Sequence, residues 1–181
     1  MINTTRYRAF LSRYILALTV LLLVGSHRAA AQAKDYQVKA VFLFHFTQFV
    51  DWPATAFSSP GAPFVIGIYG ADPFGEFIDK AVSNEKVAGR AIVVKRFRNV
   101  GELSGCHLLF INHASPKDAL QAVEGKAVLT VGDDINFTKD GGMIQFVTES
   151  SKIKLQIRHS VAKTAGLTIS SKLLRLAKIV D

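Results

Sequence analysis

Phe64-Val65-Ile66-Gly67-Ile68-Tyr69-Gly70-Ala71-Asp72-Pro73-Phe74-Gly75 joins an uninterrupted apolar run of strand length to a turn that can open a helix. Asp72 supplies a capping carboxylate and Pro73 suits the first helical position. Phe74, Phe77, Ile78, Ala81 and Val82 then mark the buried face of the predicted helix. The same unit recurs downstream. Ala91–Val94 reads as a second strand, Val100–Gly105 as a single helical turn and Leu108–Ile111 as a third strand. Ser115-Pro116-Lys117-Asp118 opens a helix with Ala119, Leu120, Ala122 and Val123 inward and Gly125 at its end, before a fourth strand at Ala127–Val131. Strands that are apolar throughout are buried on both faces, and helices at short intervals supply the cover. The predicted fold class is α/β: a single-domain, open, mostly parallel sheet with crossover helices, Rossmann- or flavodoxin-like.

On the C-terminal side the pattern changes. Met143–Thr148 and Lys152–Arg158 are separated by Glu149-Ser150-Ser151. In the second run Ile153, Leu155 and Ile157 alternate with Lys152, Lys154, Gln156 and Arg158, which is the signature of a half-exposed antiparallel hairpin. Val161–Gly166 reads as a short helix. Ser170 caps a last helix carrying Leu173, Leu174, Leu176 and Ala177. On the N-terminal side, Lys34–Trp52 reads as a helix whose stripe is Val38, Val41, Phe42, His45, Phe46 and Phe49, with Leu43 and Phe44 apolar off the stripe. A helix apolar on two sides is either buried on both or meets a partner. Trp52-Pro53 ends it, and Ala54–Pro63 is a loop.

Residues 1–31 read as a secretory signal peptide and 34–181 as the folded domain. Arg6, Arg8 and Arg13 precede the apolar run Tyr14–Val24, and Ala29, Ala31 and Ala33 offer cleavage after Ala31 or after Ala33. The apolar run is too short for a bilayer, which needs ~20 residues. The mature chain is therefore expected to be periplasmic through the general secretion route, and not membrane-embedded. Removing Arg6, Arg8, Arg13 and Arg28 from 22 basic residues leaves 18 against 14 acidic ones, so much of the basic excess belongs to the leader. Lys95-Arg96-x-Arg98 is the densest basic cluster left; it is too short to argue for nucleic acid and reads as a solvated strand end. Cys106, the one cysteine, has no partner in the chain and is expected to be buried.

No reaction is specified by the sequence. His27, His45, His107, His113 and His159 show no metal-ligand spacing, and no metal or other cofactor is expected. No G-x-S-x-G is present, Ser83, Ser104, Ser115 and Ser170 suit turns and caps, and Cys106 has no activating partner. Asp133-Asp134 and Asp140 read as a polar loop. Gly67–Gly75 could aim backbone N–H groups at a small anion or nucleotide, but its glycines are not spaced as G-x-G-x-x-G and the second strand ends in Lys95-Arg96 where a ribose-binding fold has an acid. The chain is therefore expected not to be an enzyme, and no catalytic residue is assigned. Phe42, Phe46, Phe49, Leu173 and Leu174 are the candidate partner-binding residues, from apolar surface in excess of one core.

Val38-Lys39-Ala40-Val41-Phe42-Leu43-Phe44-His45-Phe46, continuing through Phe49-Val50-Asp51-Trp52-Pro53, resembles the opening motif of the YfiR-like periplasmic proteins. Ile66-Gly67 through Asp72-Pro73-Phe74-Gly75, Cys106–Ile111, Gly141-Gly142-Met143-Ile144-x-Phe146 and Ala165–Ala177 resemble the later parts of the same family in order. The resemblance implies a regulator that represses an inner-membrane diguanylate cyclase by binding its periplasmic sensor domain, with cyclic-di-GMP and biofilm behaviour as output. It also implies a homodimer. Cysteine pairs found in the family are missing, so no intrachain redox switch carries over. At the end of the last strand Arg158-His159 replaces an Asn of the family pattern. On the alternative reading, a periplasmic small-ligand binder or an enzyme, Gly67, Gly70, Arg158 and His159 would hold an anion.

Overall fold

The computed structural model describes residues 32–181 except Ser104, Ala114 and Ser151. The expected signal peptide lies outside them. The chain divides into two units, Met1–Tyr36 and Gln37–Asp181. Residues 32–49 are helical (α1), and the second unit holds every strand of the described residues. Among the described residues no helix is long and apolar enough to cross a membrane.

Five parallel strands form the centre of an eight-stranded sheet. In chain order they are β2 (Phe64–Gly70), β4 (Arg90–Phe97), β5 (Leu108–Asn112), β6 (Leu129–Gly132) and β7 (Ile144–Glu149). They lie side by side as β4-β2-β5-β6-β7, the flavodoxin-like order in which the second strand flanks the first and the rest run the other way. Each edge is finished by other pairings. β3 (Lys86–Val87) joins β4 antiparallel, β8 (Lys152–Ile157) joins β7 as the expected antiparallel hairpin, and β10 (Ala177–Ile179) lies parallel to β8. A separate two-stranded sheet pairs β1 (Val50–Asp51) with β9 (Thr168–Ile169), Val50 opposite Ile169.

The register explains the two cores. Ile68, Phe110, Val131, Ile144 and Ile157 form one row across five strands, all on the same face. That face is apolar from strand to strand and is covered by α1, whose Phe42 and Phe46 rings meet Phe146, and by α2 (Glu76–Val82), preceded by Phe74 edge-on to Phe110. The next row, Tyr69, Ile111, Gly132, Gln145 and Gln156, faces the other way. Here α3 (Pro116–Ala122) covers β2, β5 and β6 through Ala119 and its flanks, together with Val123 and Val128. Beyond β6 the same face becomes polar, as an antiparallel hairpin with one solvated side allows.

The β6–β7 crossover carries no helix. A parallel crossover takes roughly a dozen residues and usually contains one. Here residues 133–143 coil into successive turns around Phe137, which is fully buried. Its ring occupies the space in which Gly132 and Gly142 have no side chain: a Cβ at either would lie 2.5 or 2.2 Å from it. Gln145 is buried beneath and accepts from the Thr138 hydroxyl at 2.8 Å and N–H at 3.2 Å. The stretch expected as a polar loop is thus a piece of the core, and its carboxylates are engaged: Asp133 with Lys39 and Asp140 with Lys117.

Three expectations need correction. The first concerns α1, which ends at residue 49, before the strand Val50–Asp51, and not at Trp52, and whose two apolar sides had left its phase open. Its buried positions are Lys39, Ala40, Leu43, Phe46 and Thr47, while Val38, Val41 and His45 are exposed. Lys39 goes inward because its ammonium reaches Asp133 at 2.7 Å and lies 5.8 Å from the Phe146 ring centre. The second concerns Phe77, which is exposed although Phe74, Ile78 and Val82 are buried. The helix begins only at Glu76, so Phe77 falls on its outer side. The third is the last helix. It is one turn, α5 (Ser171–Leu174), capped by the Ser170 hydroxyl, and Ala177–Ile179 is a strand. The short helix before it is α4 (His159–Thr164).

Candidate partner-binding surface

The surface that stands out is the outer side of α1. Val38 is 42% and Val41 47% exposed, and His45 continues their line one turn on. Phe42, Phe44 and Phe49 flank the line half-buried, with the His45 ring 5.6 Å from Phe44 and 6.4 Å from Phe49. Two residues predicted to meet a partner, Phe46 and Leu173, are instead core: Phe46 is wholly buried and stacks on Phe146, and Leu173 is the buried residue of α5. Phe42, Phe49 and Leu174 remain half-exposed. Val38 and Val41 stood in the sequence stripe, which was left either buried or facing a partner, but they were not among the residues singled out for binding. Leu176, 74% exposed just before β10, and Ile135, 81% exposed at the tip of the β6–β7 crossover, are further bare apolar side chains.

The residues proposed for an anion do not converge. β5, β6 and β7 separate Gly67 and Gly70 from Arg158, which comes after β8. Gly67 lies inside the sheet, where a Cβ would be 2.6 Å from the Cys106 sulfur. At the turn itself the Phe74 and Gly75 N–H groups donate to Asp72 Oδ1 at 2.8 and 3.2 Å, and Arg96 donates from Nε to Asp72 Oδ2 at 2.7 Å. Arg96 also reaches Asp79 and the Gly75 carbonyl, and its bonds to Asp79 and Asp72 hold its guanidinium pKa above the usual value. At the other position Arg158 donates to the Thr138 carbonyl, and the Asp181 carboxylate accepts from the N–H and hydroxyl of Ser160 next to His159. Those bonds, the backbone N–H foremost, hold the Asp181 pKa below the usual range. Each place that looked able to take an anion thus already holds a carboxylate of the chain. Asp72→Ala should cost about 1–2 kcal/mol for the two turn hydrogen bonds lost. It should also leave the variant, but not the parent, with a melting temperature that rises in phosphate, as thermal-shift assays will show.

The β2/β5 switch point, where folds of this strand order open a ligand crevice, is tied shut. The Ala71 N–H donates to the Asn112 carbonyl at 3.2 Å, and the Asn112 amide returns a bond to the Ala71 carbonyl at 3.0 Å.

The Trp52-Pro53 segment and the strand opened by Cys106-His107 meet at the base of the sheet. Trp52 donates its indole N–H to the His107 carbonyl at 2.9 Å, and the Val65 N–H donates to His107 Nδ1 at 3.0 Å. The imidazole lies between Phe57, with ring centres 4.4 Å apart, and Phe64 at 5.0 Å, and Trp52 packs edge-on to Phe64. Arg90 caps the stack from β4, 3.9 Å from the Phe57 ring centre, while donating to the Ser59 and Ala62 carbonyls. Cys106, on the opposite face, is buried as expected, and burial pushes its thiol pKa up to about 11, which leaves it un-ionised and a poor nucleophile. Among the described residues no three His, Cys, Asp or Glu side chains lie together as a metal site would need.

Comparison with known proteins agrees with this layout. The family model described as YfiR/HmsC-like matches residues 36–178, which takes in all but the start of α1, the main sheet up to its last edge strand and the Trp52–His107 junction. Comparison with curated proteins finds no match.

Proposed function

The chain belongs to the YfiR/HmsC-like family, and from that premise we propose that it is a periplasmic regulator of cyclic-di-GMP signalling. It holds down an inner-membrane diguanylate cyclase by docking on the periplasmic sensor domain of that enzyme, with residues 1–31 removed on export. The docking surface is the outer side of α1: Val38 and Val41 at its centre, Phe42 and Phe49 at its margin, and Leu174 on the one-turn helix α5 as a lesser contact. One observation carries this reading. α1 satisfies the core with Leu43 and Phe46 and still presents a second apolar line to the outside. Side chains of this kind, half out of the core, form an interface centre without loss of fold.

The test is a Val38→Glu, Val41→Glu double variant. Both positions are exposed, so the melting temperature should stay within the small range of surface substitutions. Binding to the purified periplasmic domain of the cyclase should fall at least roughly thirty-fold, the equivalent of one central hot spot. Cells carrying the variant should accumulate cyclic-di-GMP. Undiminished binding and repression by this variant would remove α1 from the interface.

A further inference from the structure

His107 is 4% exposed and makes its one side-chain hydrogen bond as an acceptor, through Nδ1, from a backbone N–H. The proton of the neutral ring therefore sits on Nε2. Nε2 is the single buried side-chain nitrogen or oxygen without a hydrogen-bond partner among the described residues. The Ala56 carbonyl acts on the ring and favours the charged form, but completes no hydrogen bond with Nε2. We propose that His107 is a proton-operated latch: uptake of a proton at Nδ1 removes the acceptor of the Val65 N–H, and the charged ring reaches water only when the segment 52–57, whose Phe57 covers it, lifts from the base of the sheet.

The chemistry is one-sided. A protonated ring has donors at both nitrogens, so the buried Val65 N–H would face another N–H, and an unmet buried donor is costly. The groups that face the ring are Val65 and Phe64 from β2, and Ala56 and Phe57 from the segment, with Arg90 of β4 behind Phe57. Arg90 is the charged group that acts on it, and it repels an imidazolium; among the described residues no carboxylate opposes it. Attraction of a cation to the faces of Phe57 and Phe64 works against opening. Burial, the largest influence, and Arg90 outweigh the pull of the Ala56 carbonyl, and the pKa is lowered. Because the folded pKa lies below the ordinary value near 6.5, the stabilisation is complete above that value. It is lost as the pH falls below 6.5 towards the folded pKa. The segment released begins at Trp52, directly after β1 and the end of α1, so acidification loosens the end of the helix that carries the proposed docking line.

Trp52 is the only tryptophan of the chain, so its emission reads the latch alone. The purified protein, without partner, is titrated from neutral pH downwards by fluorescence and far-ultraviolet circular dichroism. The parent should show a one-proton red shift of the emission with a midpoint below 6.5, while the dichroism is unchanged. His107→Asn places an oxygen acceptor near the position of Nδ1 that cannot titrate, and should abolish the shift. An identical shift in His107→Asn, no shift in the parent, or a shift that coincides with loss of dichroism would each overturn the latch. If His107→Asn does not fold, nitrogen-15 imidazole spectra of the parent decide: His107 must take its second proton over the same interval as the emission change, and a ring that stays neutral through it refutes the proposal. No partner enters these measurements, so they stand or fall apart from the docking surface.

Discussion

Gly70→Ala should be one of the most damaging single substitutions in the chain, at about 2–5 kcal/mol of stability. Gly70 ends the central strand β2 at φ +91°, a conformation side chains rarely adopt, and a Cβ there would sit 2.2 Å from the Asn112 carbonyl oxygen and 2.9 Å from its carbon. Both neighbours are backbone, of strand β5, so no side-chain rotation relieves the contact. Moving the strands apart sacrifices the paired bonds between Ala71 and Asn112 and opens the core between β2 and β5. Strain at positive φ alone is worth ~1–2 kcal/mol. Overpacking adds ~1–3 kcal/mol, against a total stability of about 5–15 kcal/mol for a domain. Urea denaturation, or the soluble fraction if the variant cannot be purified, measures the loss. Gly61→Ala is the matched control: nothing lies within 4 Å of its Cβ position and its φ is ordinary, so it should behave as the parent. A Gly70→Ala protein that unfolds at the parent's urea midpoint would mean that β2 and β5 do not approach so closely.

Phe137→Ala should cost about 3–5 kcal/mol, the usual range for a fully buried aromatic ring. The ring is both core residue and scaffold of the β6–β7 crossover, filling the places left by Gly132 and Gly142. That geometry predicts a coupling as well as a loss. Gly142→Ala alone forces a methyl into the Phe137 ring and destabilises. In the Phe137→Ala background the same methyl enters emptied space and should be harmless or helpful. A double-mutant cycle by chemical denaturation should therefore give an interaction energy of about 1 kcal/mol or more. Strict additivity would show that ring and glycine do not meet.

These two residues mark how far the sequence could be read. β2, β5 and β6 were legible because a strand buried on both faces is a plain apolar run, and the hairpin was legible because its exposed side alternates. Phe137 was not: one aromatic among Asp, Asn, Thr and Lys gives no period, and its burial depends on two glycines that flank it in space. α1 was recognised as a helix, but which of its two apolar sides faces the core was left open. A helix apolar on two sides has no unique stripe, and the residue that fixes its rotation, Lys39, is a charge whose partner lies ninety-four positions away. The last leucines have helical spacing over too few residues to separate one turn of helix from an edge strand. Asp72 was expected to cap the helix; its carboxylate instead closes the turn before α2, accepting from the Phe74 and Gly75 N–H groups, and the N-cap is Gly75. That the same carboxylate fills the turn against outside anions required Arg96, which comes from the next parallel strand.

The small β1–β9 sheet sets the order of assembly. Val50 comes after the first helix and Ile169 before the last, so their pairing joins opposite ends of the domain. Contacts of such sequence separation form slowly, because a long loop must close before any gain is realised. The parallel core from β2 to β7 needs only neighbouring segments and can collect early. Helix α1 and the tryptophan that follows β1 are then the last part of the molecule to be fastened, and on refolding the emission of Trp52 should reach its native value after the sheet has formed.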